Sequence, residues 1–139
     1  MKEMNNTDIN LRAEGAQPTQ RFVALLLSEA IYERAERMEF SLEDASSKTG
    51  LRIALCVHGV VKETHLSPGL LFAPVVIILC NHAGVTYWSK GKIEGSLVTT
   101  QPPSNWMLQS DDLTRAFTLV RTSPIKPIDV RRPIDWGER

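Results

Sequence analysis

The spacing of apolar residues changes once along this chain, and that change decides which class of fold it can form. After Thr19, the residues Phe22, Val23, Leu26, Leu27, Ala30, Ile31, Ala35 and Met38 recur at three- and four-residue steps. Glu29, Glu33, Arg34 and Arg37 fall between them. This spacing predicts an amphipathic helix over 20–38 with Thr19 as its N-cap. Ser41 and Asp44 have capping-box spacing and Gly50 stands where a glycine would end a helix, so a second, short helix is expected there. From Leu51 onward the pattern shifts to β-branched runs. Residues 51–61 and 73–79 are expected to be strands, separated by Ser67-Pro68-Gly69. Residues 85–89 and 93–99 flank Lys90-Gly91-Lys92, the layout of a hairpin. Gln101-Pro102-Pro103-Ser104-Asn105 is a loop. Ser110 with Asp111 and Asp112 resembles the cap and acidic first turn of another short helix. A last strand is expected over 117–122. The expected fold is therefore α+β: an N-terminal amphipathic helix packed on a mainly antiparallel sheet of four to five strands.

Three segments are expected: a flexible tail over 1–18, one α+β domain over 19–122 and an extended Pro-rich arm over 123–139. Pro124, Pro127 and Pro133 exclude a helix from the arm. Its Pro127-Ile128-Asp129-Val130 is echoed by Pro133-Ile134-Asp135-Trp136. Such an arm can cover its own sheet edge or dock on another subunit, and Ile134 and Trp136 are its candidate interface anchors.

At 139 residues and 42% hydrophobic, the chain can bury a real core. Its 16 basic and 16 acidic residues balance, without the basic excess of a nucleic-acid binder. The N-terminus has no apolar signal segment. The longest apolar run, 70–80, contains Pro74 and falls short of the roughly 20 residues a membrane helix needs. Two cysteines inside apolar runs suit buried thiols of a reducing compartment. These features lead us to expect a soluble, cytoplasmic protein.

The reactive groups concentrate in two near-repeats. Ile53-Ala54-Leu55-Cys56-Val57-His58 and Ile77-Ile78-Leu79-Cys80-Asn81-His82 share Ile-x-Leu-Cys-x-His. In a strand, residues two apart share a face. Cys56, His58, Cys80 and His82 could then close a tetrahedral zinc site, or an imidazole could activate a thiol. The alternative is that both cysteines are core residues and both histidines lie at strand ends. The sequence carries no phosphate loop, serine elbow or cofactor fingerprint. For a small nucleotide-like ligand, Tyr87, Trp88, Trp106 and Gln109 would supply stacking and polar contacts, and Arg52 or Lys92 would pair with phosphate.

Two resemblances bear on function. Ser67-Pro68-Gly69-Leu70-Leu71-Phe72 followed by His82-Ala83-Gly84-Val85-Thr86-Tyr87 is similar to the second half of NlpC/P60-type cysteine peptidases, which implies a thiol hydrolase with His82 as base. Met38-Glu39-Phe40, Ala45, Lys48, Gly50 and Ile53-Ala54, followed much later by Trp106, Gln109, Asp112, Leu113, Phe117 and Val120, resemble the Thoeris anti-defence protein 2 family of phages and bacteria. That family's aromatic Trp-Asn-Gly element is absent, and His58 and Gly59 stand at about its place. The resemblance implies a homo-oligomeric sponge that binds a cyclic ADP-ribose-type signal without cleaving it. The expected function is accordingly a small non-catalytic binding or interaction module. The alternatives are an assembly protein that uses its C-terminal arm, a zinc-stabilised domain and a thiol hydrolase.

Overall fold

In the computed structural model, which describes residues 8–12, 17–86 and 91–124, alternating burial organises the chain into strands on both sides of a central helix. The element order is β1 (Ile9–Asn10), α1 (Pro18–Tyr32), β2 (Arg37–Leu42), β3 (Leu51–Val57), β4 (Val60–Ser67), a 3-10 turn (Gly69–Leu71), α2 (Phe72–Ala83), β5 (Ile93–Thr100), β6 (Ser104–Asp112) and β7 (Ala116–Arg121). The strands form one sheet in the order β1-β5-β6-β7-β2-β3-β4. Only the β1/β5 pair is parallel. Two meanders, β2-β3-β4 and β5-β6-β7, thus meet where β2 pairs antiparallel with β7, with Phe40 opposite Phe117 and Met38 opposite Leu119.

One face of this sheet is covered and the other is open. Met38, Phe40, Ile53, Leu55, Leu97, Trp106, Leu108, Phe117 and Leu119 form one core with Val23, Leu26, Leu27, Ala30 and Ile31 of α1 and Phe72, Val75, Val76 and Leu79 of α2. The alternate residues, among them Glu39, Arg52, Glu94, Val98, Met107 and Gln109, are exposed or half-buried on the opposite face. This is the ordinary solution for an antiparallel sheet with a single helical layer. Trp106 is 1% exposed, and its indole Nε1 donates to Ser104 Oγ at 2.7 Å. Thr99 Oγ1 bonds Ser104 Oγ and donates to Pro102 O at 2.9 Å, so this buried polar chain is internally satisfied.

The α+β class and the mostly antiparallel sheet are as expected, but the sheet has seven strands among the described residues rather than four to five. Other departures are local. α1 starts at Pro18 and ends at Tyr32, six residues short of Met38. Arg34 adopts φ 61°, and Ala35 N–H donates back to Ala30 O at 2.9 Å. The chain then pairs as β2 although 33–38 reads as helix, because pairing with two strands outweighs a weak local propensity. In place of the expected helix over 41–50, Ser41 and Leu42 end β2 and 43–50 is a loop. There the Asp44 carboxylate accepts from Ser46 N and Oγ at 2.9 and 2.8 Å, forming a turn rather than a helix cap. The strand expected over 51–61 is a hairpin. His58 and Gly59, at φ 53° and 79°, make its two-residue turn. The strand expected over 73–79 is instead helix α2. Ser110 and Asp112 lie in β6, and they shape the β6–β7 connection through Asp112 N–H to Ser110 Oγ and Thr114 N–H to Asp112 Oδ1, both 3.0 Å. Within the expected tail, Ile9 and Leu11 are buried, and β1 lines the edge of β5. Val85 and Thr86 are not in a strand. Residues 87–90 of the expected hairpin, and 125–139 of the expected arm, lie outside the described residues.

Gly50 and Gly69 are packing requirements. A Cβ on Gly50 would lie 1.7 Å from Asp44 O, and one on Gly69 would lie 2.1 Å from the same oxygen. Their absent side chains let the 43–50 loop lie flat against the entry to α2, where Gly69 N–H donates to Ser47 O at 2.9 Å. Gly69→Ala is expected to cost about 2–3 kcal/mol, in the upper part of the usual range for single substitutions. Urea denaturation checks this, and an unchanged midpoint would show that the loop yields freely.

Candidate functional site

The two Cys-x-His stretches do not form a pair of strands. The first ends β3 and enters its turn, whereas the second is the last half of α2. Cys56 alternates with the core residues Ile53 and Leu55, so it faces away from the helices. It is 1% exposed, with Sγ 3.7 Å from Glu36 Oε1. His58 is occupied in the hairpin turn. Cys80 points into the helix-side core, where burial pushes its thiol up to about 11. Successive residues of an α-helix are about 100° apart, so Cys80 and His82 diverge rather than share a face. The stretches therefore place their thiols on opposite sides of the sheet. Among the described residues, no group of three or more His, Cys, Asp or Glu is arranged to hold a metal ion.

The expected ligand residues also separate. Trp106 is within the core, with the Arg121 guanidinium 5.7 Å from its ring centroid, so its ring is committed to packing. Burial lowers the Arg121 pKa, and its Nε donates to Ser123 Oγ at 3.1 Å. Arg52 lies on the open face of β3, where Nη1 meets Glu43 Oε2 at 2.8 Å. It borders a depression of about 320 Å³ with Glu39, Ser41, Ala54 and Val61. Gln109 lies three strands away, roughly 14 Å at ~4.8 Å per strand. Tyr87, Trp88, Ile134 and Trp136 lie outside the described residues.

Lys92 and Gln109 do converge. They border a larger depression, about 460 Å³, together with Glu94, Asp111, Asp112 and Arg115. The register of β6 against β7 breaks between Gln109 and Asp112. Such an irregularity bends the strand and re-aims its side chains. Ser110 Oγ donates to Ala116 O at 2.6 Å across the break. The Asp112 carboxyl is held below its ordinary range, first by the Thr114 hydroxyl and then by the Thr114 amide. Two cations, Lys92 and Arg115, and three carboxylates, Glu94, Asp111 and Asp112, line this depression.

The least expected surface belongs to α2. Phe72, Val75, Val76, Leu79, Cys80 and Ala83 form its buried side. A surface helix normally carries charge on the other side. Here that side presents Ala73, Ile77 at 37% exposure and Asn81, with Pro74 and Ile78 half-buried beside them, and Leu70 of the preceding 3-10 turn is 76% exposed. No Asp, Glu, Lys or Arg occurs from Leu66 to Ser89. That gap was visible in the sequence. No family model matches this chain, and no curated protein matches it.

Both thiols are expected to react slowly while the protein is folded. Labelling of native Cys56 and Cys80 by iodoacetamide near pH 8 should be at least about 100-fold slower than in denaturant, because burial hides both thiols and, at Cys80, also raises the pKa. Intact-mass kinetics measure this, and fast native labelling would restore a thiol mechanism. The same Cys80 shift gives a pH dependence with a fixed sign. The stability contributed by the protonated buried thiol is complete at neutral pH. It is lost as pH rises through about 11.

Proposed function

We propose that this chain is a non-catalytic interaction module that contacts its partner through the outer face of α2. The observation that carries this reading is the uncharged, solvent-facing pair Ala73 and Ile77 on a helix whose other side is already anchored in the core, with exposed Leu70 in the 3-10 turn that leads into it. Exposed apolar side chains in a contiguous patch mark interaction sites, whereas scattered ones do not. The burial of Cys56 and Cys80, each at 2% exposure or less, supports a non-catalytic role, since neither thiol is open to a substrate.

A photo-crosslinking residue placed at Leu70 or Ile77 in cells should yield covalent adducts. The same residue at Val98, exposed on the open sheet face, should not. Adducts at 98 and none at 70 or 77 would move the contact surface to the sheet.

A second reading follows the family resemblance: sequestration of a small anionic, nucleotide-like signal. It is favoured by the convergence of Lys92 and Gln109, with Arg115, on one concave depression. Titration calorimetry with cyclic ADP-ribose is expected to show binding that weakens at least tenfold in Lys92→Ala, about 1.4 kcal/mol for one charge-assisted contact. Binding that is unaffected by Lys92→Ala, or absent, would reject this depression as the site.

A further inference from the structure

We infer that Arg121 receives the carboxylate of Asp129, and that this contact latches the segment after Pro124 to the rim of the sheet where β7 ends. The latch is independent of the α2 reading.

Arg121 is the last residue of β7 and lies opposite Trp106 of β6. Alternation from the core residues Phe117 and Leu119 puts its side chain on the helix-covered side of the sheet. There the guanidinium lies 5.7 Å from the Trp106 ring centroid, within range of a cation–π attraction. A guanidinium carries only donors. Arg121 Nε donates to Ser123 Oγ at 3.1 Å, and Nη2 donates to Pro124 O at 3.3 Å. Nη1 is buried and has no hydrogen-bond partner, and no other buried side-chain nitrogen or oxygen among the described residues is left in this state. No carboxylate of the described residues forms an ion pair with Arg121. A buried donor on a charged group is costly to leave unmatched, and a desolvated cation calls for an anion. Burial lowers the Arg121 pKa, the direction of a cation short of counter-charge.

The backbone beside Arg121 selects the source of that anion. Thr122 and Ser123 N–H both donate to Asn105 O, at 2.9 and 3.4 Å, and Asn105 N–H donates to Ser123 Oγ at 3.0 Å. The chain is thus fastened as far as Pro124. The carbonyl that accepts from Nη2 belongs to the peptide bond into residue 125, so the chain leaves the described region beside the guanidinium. Residues 125–139 carry three acids, Asp129, Asp135 and Glu138. Asp129 comes first, five residues past Pro124. In Lys126-Pro127-Ile128-Asp129, Pro127 stands at the second position of a β-turn, which its fixed φ favours and which sends the chain back toward its root. Closing a five-residue loop to Asp129 is favoured about threefold over an eleven-residue loop to Asp135. A carboxylate is the natural acceptor for the free edge of a guanidinium. Nη1 is closed to solvent, so a foreign anion reaches it only by opening the rim, whereas a side chain of the adjoining segment folds in with it.

Tryptic digestion of the full chain tests this. Trypsin cuts after Lys or Arg except before Pro, and Lys126 and Arg132 both precede prolines. The Arg131–Arg132 bond is therefore the interior cleavage point past Pro124, and intact mass follows its loss. Each rate is divided by that of the matching 125–139 peptide, which removes the direct effect of a charge on trypsin. So corrected, cutting is expected to be at least about tenfold slower in the wild type than in Asp129→Asn, the loss of one charge-assisted contact. Arg121→Met keeps an unbranched stem over Trp106 and should give the same acceleration with an unchanged circular dichroism spectrum. The double variant should cut no faster than either single one, because both remove the same interaction. Asp135→Asn should cut like the wild type. Equal rates in the wild type and Asp129→Asn overturn the inference. So do additive effects in the double variant, and so does acceleration by Asp135→Asn in place of Asp129→Asn. If Arg121→Met unfolds, the comparison of the two Asp variants still decides.

Discussion

The antiparallel seam between β2 and β7 holds the two halves of this sheet together. β2 starts the first meander and β7 ends the second, so this seam alone joins the three strands on one side to the four on the other. Phe40 and Phe117 lie opposite each other across the seam with ring centroids 4.4 Å apart and planes within 12°. Phe72, at the start of α2, packs on Phe117 at 5.8 Å. This aromatic cluster couples the seam to the helix layer, and offset ring pairs add to the burial each ring already contributes. The partners are distant in sequence. The seam is therefore a non-local contact whose packing must offset a large loop-closure entropy.

The fold was legible in the sequence wherever a single period ran without competition. Phe22 to Ile31 read as helix because one stripe of the segment must be buried. Residues 93–99 and 117–122 read as strands because alternate side chains enter the core. The failures came where two periods fit the same residues. Ala35 and Met38 continue the helical spacing of α1, yet they are equally consistent with a turn followed by an alternating strand. No glycine marks the left-handed turn at Arg34, and pairing on both sides of β2 decides the matter. At 73–79 the β-branched composition favoured a strand. The segment carries no alternation, however, and an apolar run of that kind cannot be assigned by periodicity alone. Pro74, tolerated in the first turn of a helix and poorly in a central strand, was the discriminating residue.

The candidate site was harder to read for a related reason. The shared pattern Ile-x-Leu-Cys-x-His looks like one structural unit used twice, but the pattern does not fix a conformation. In β3 it puts Cys56 on the face away from the helices, and in α2 it puts Cys80 in the core between helix and sheet. Pairing the thiols required both stretches to be strands, and tertiary context made only one of them so. Trp106 shows the converse limit. Trp106 reads as a stacking platform for a ligand, yet strand alternation places it inward, where Ser104 Oγ accepts from its N–H. Lys92 and Gln109 come together because β5 and β6 are hairpin neighbours, a local relation that sequence can express. Arg52 does not join them, because strand order is set by the distant β2/β7 seam.

The same reasoning underlies the proposal that α2 is the contact surface. A helix that covers a sheet needs only one apolar stripe, and Phe72, Val75, Val76 and Leu79 supply it. Charged or polar residues at positions 70, 73 and 77 would cost the monomer almost nothing, since exposed substitutions usually change stability by less than about 0.5 kcal/mol. Leaving Leu70 and Ile77 in water instead forgoes burial worth roughly 25 cal/mol per Å² and adds an aggregation liability. In a chain that is 23% charged, a stretch as long as 66–89 would ordinarily carry several ionised side chains. Neither the core nor solubility accounts for their absence. Covering the outer side of α2 with a second apolar surface does account for it. On the proposed reading, the dry side of the helix stabilises the fold and its exposed side supplies the contact.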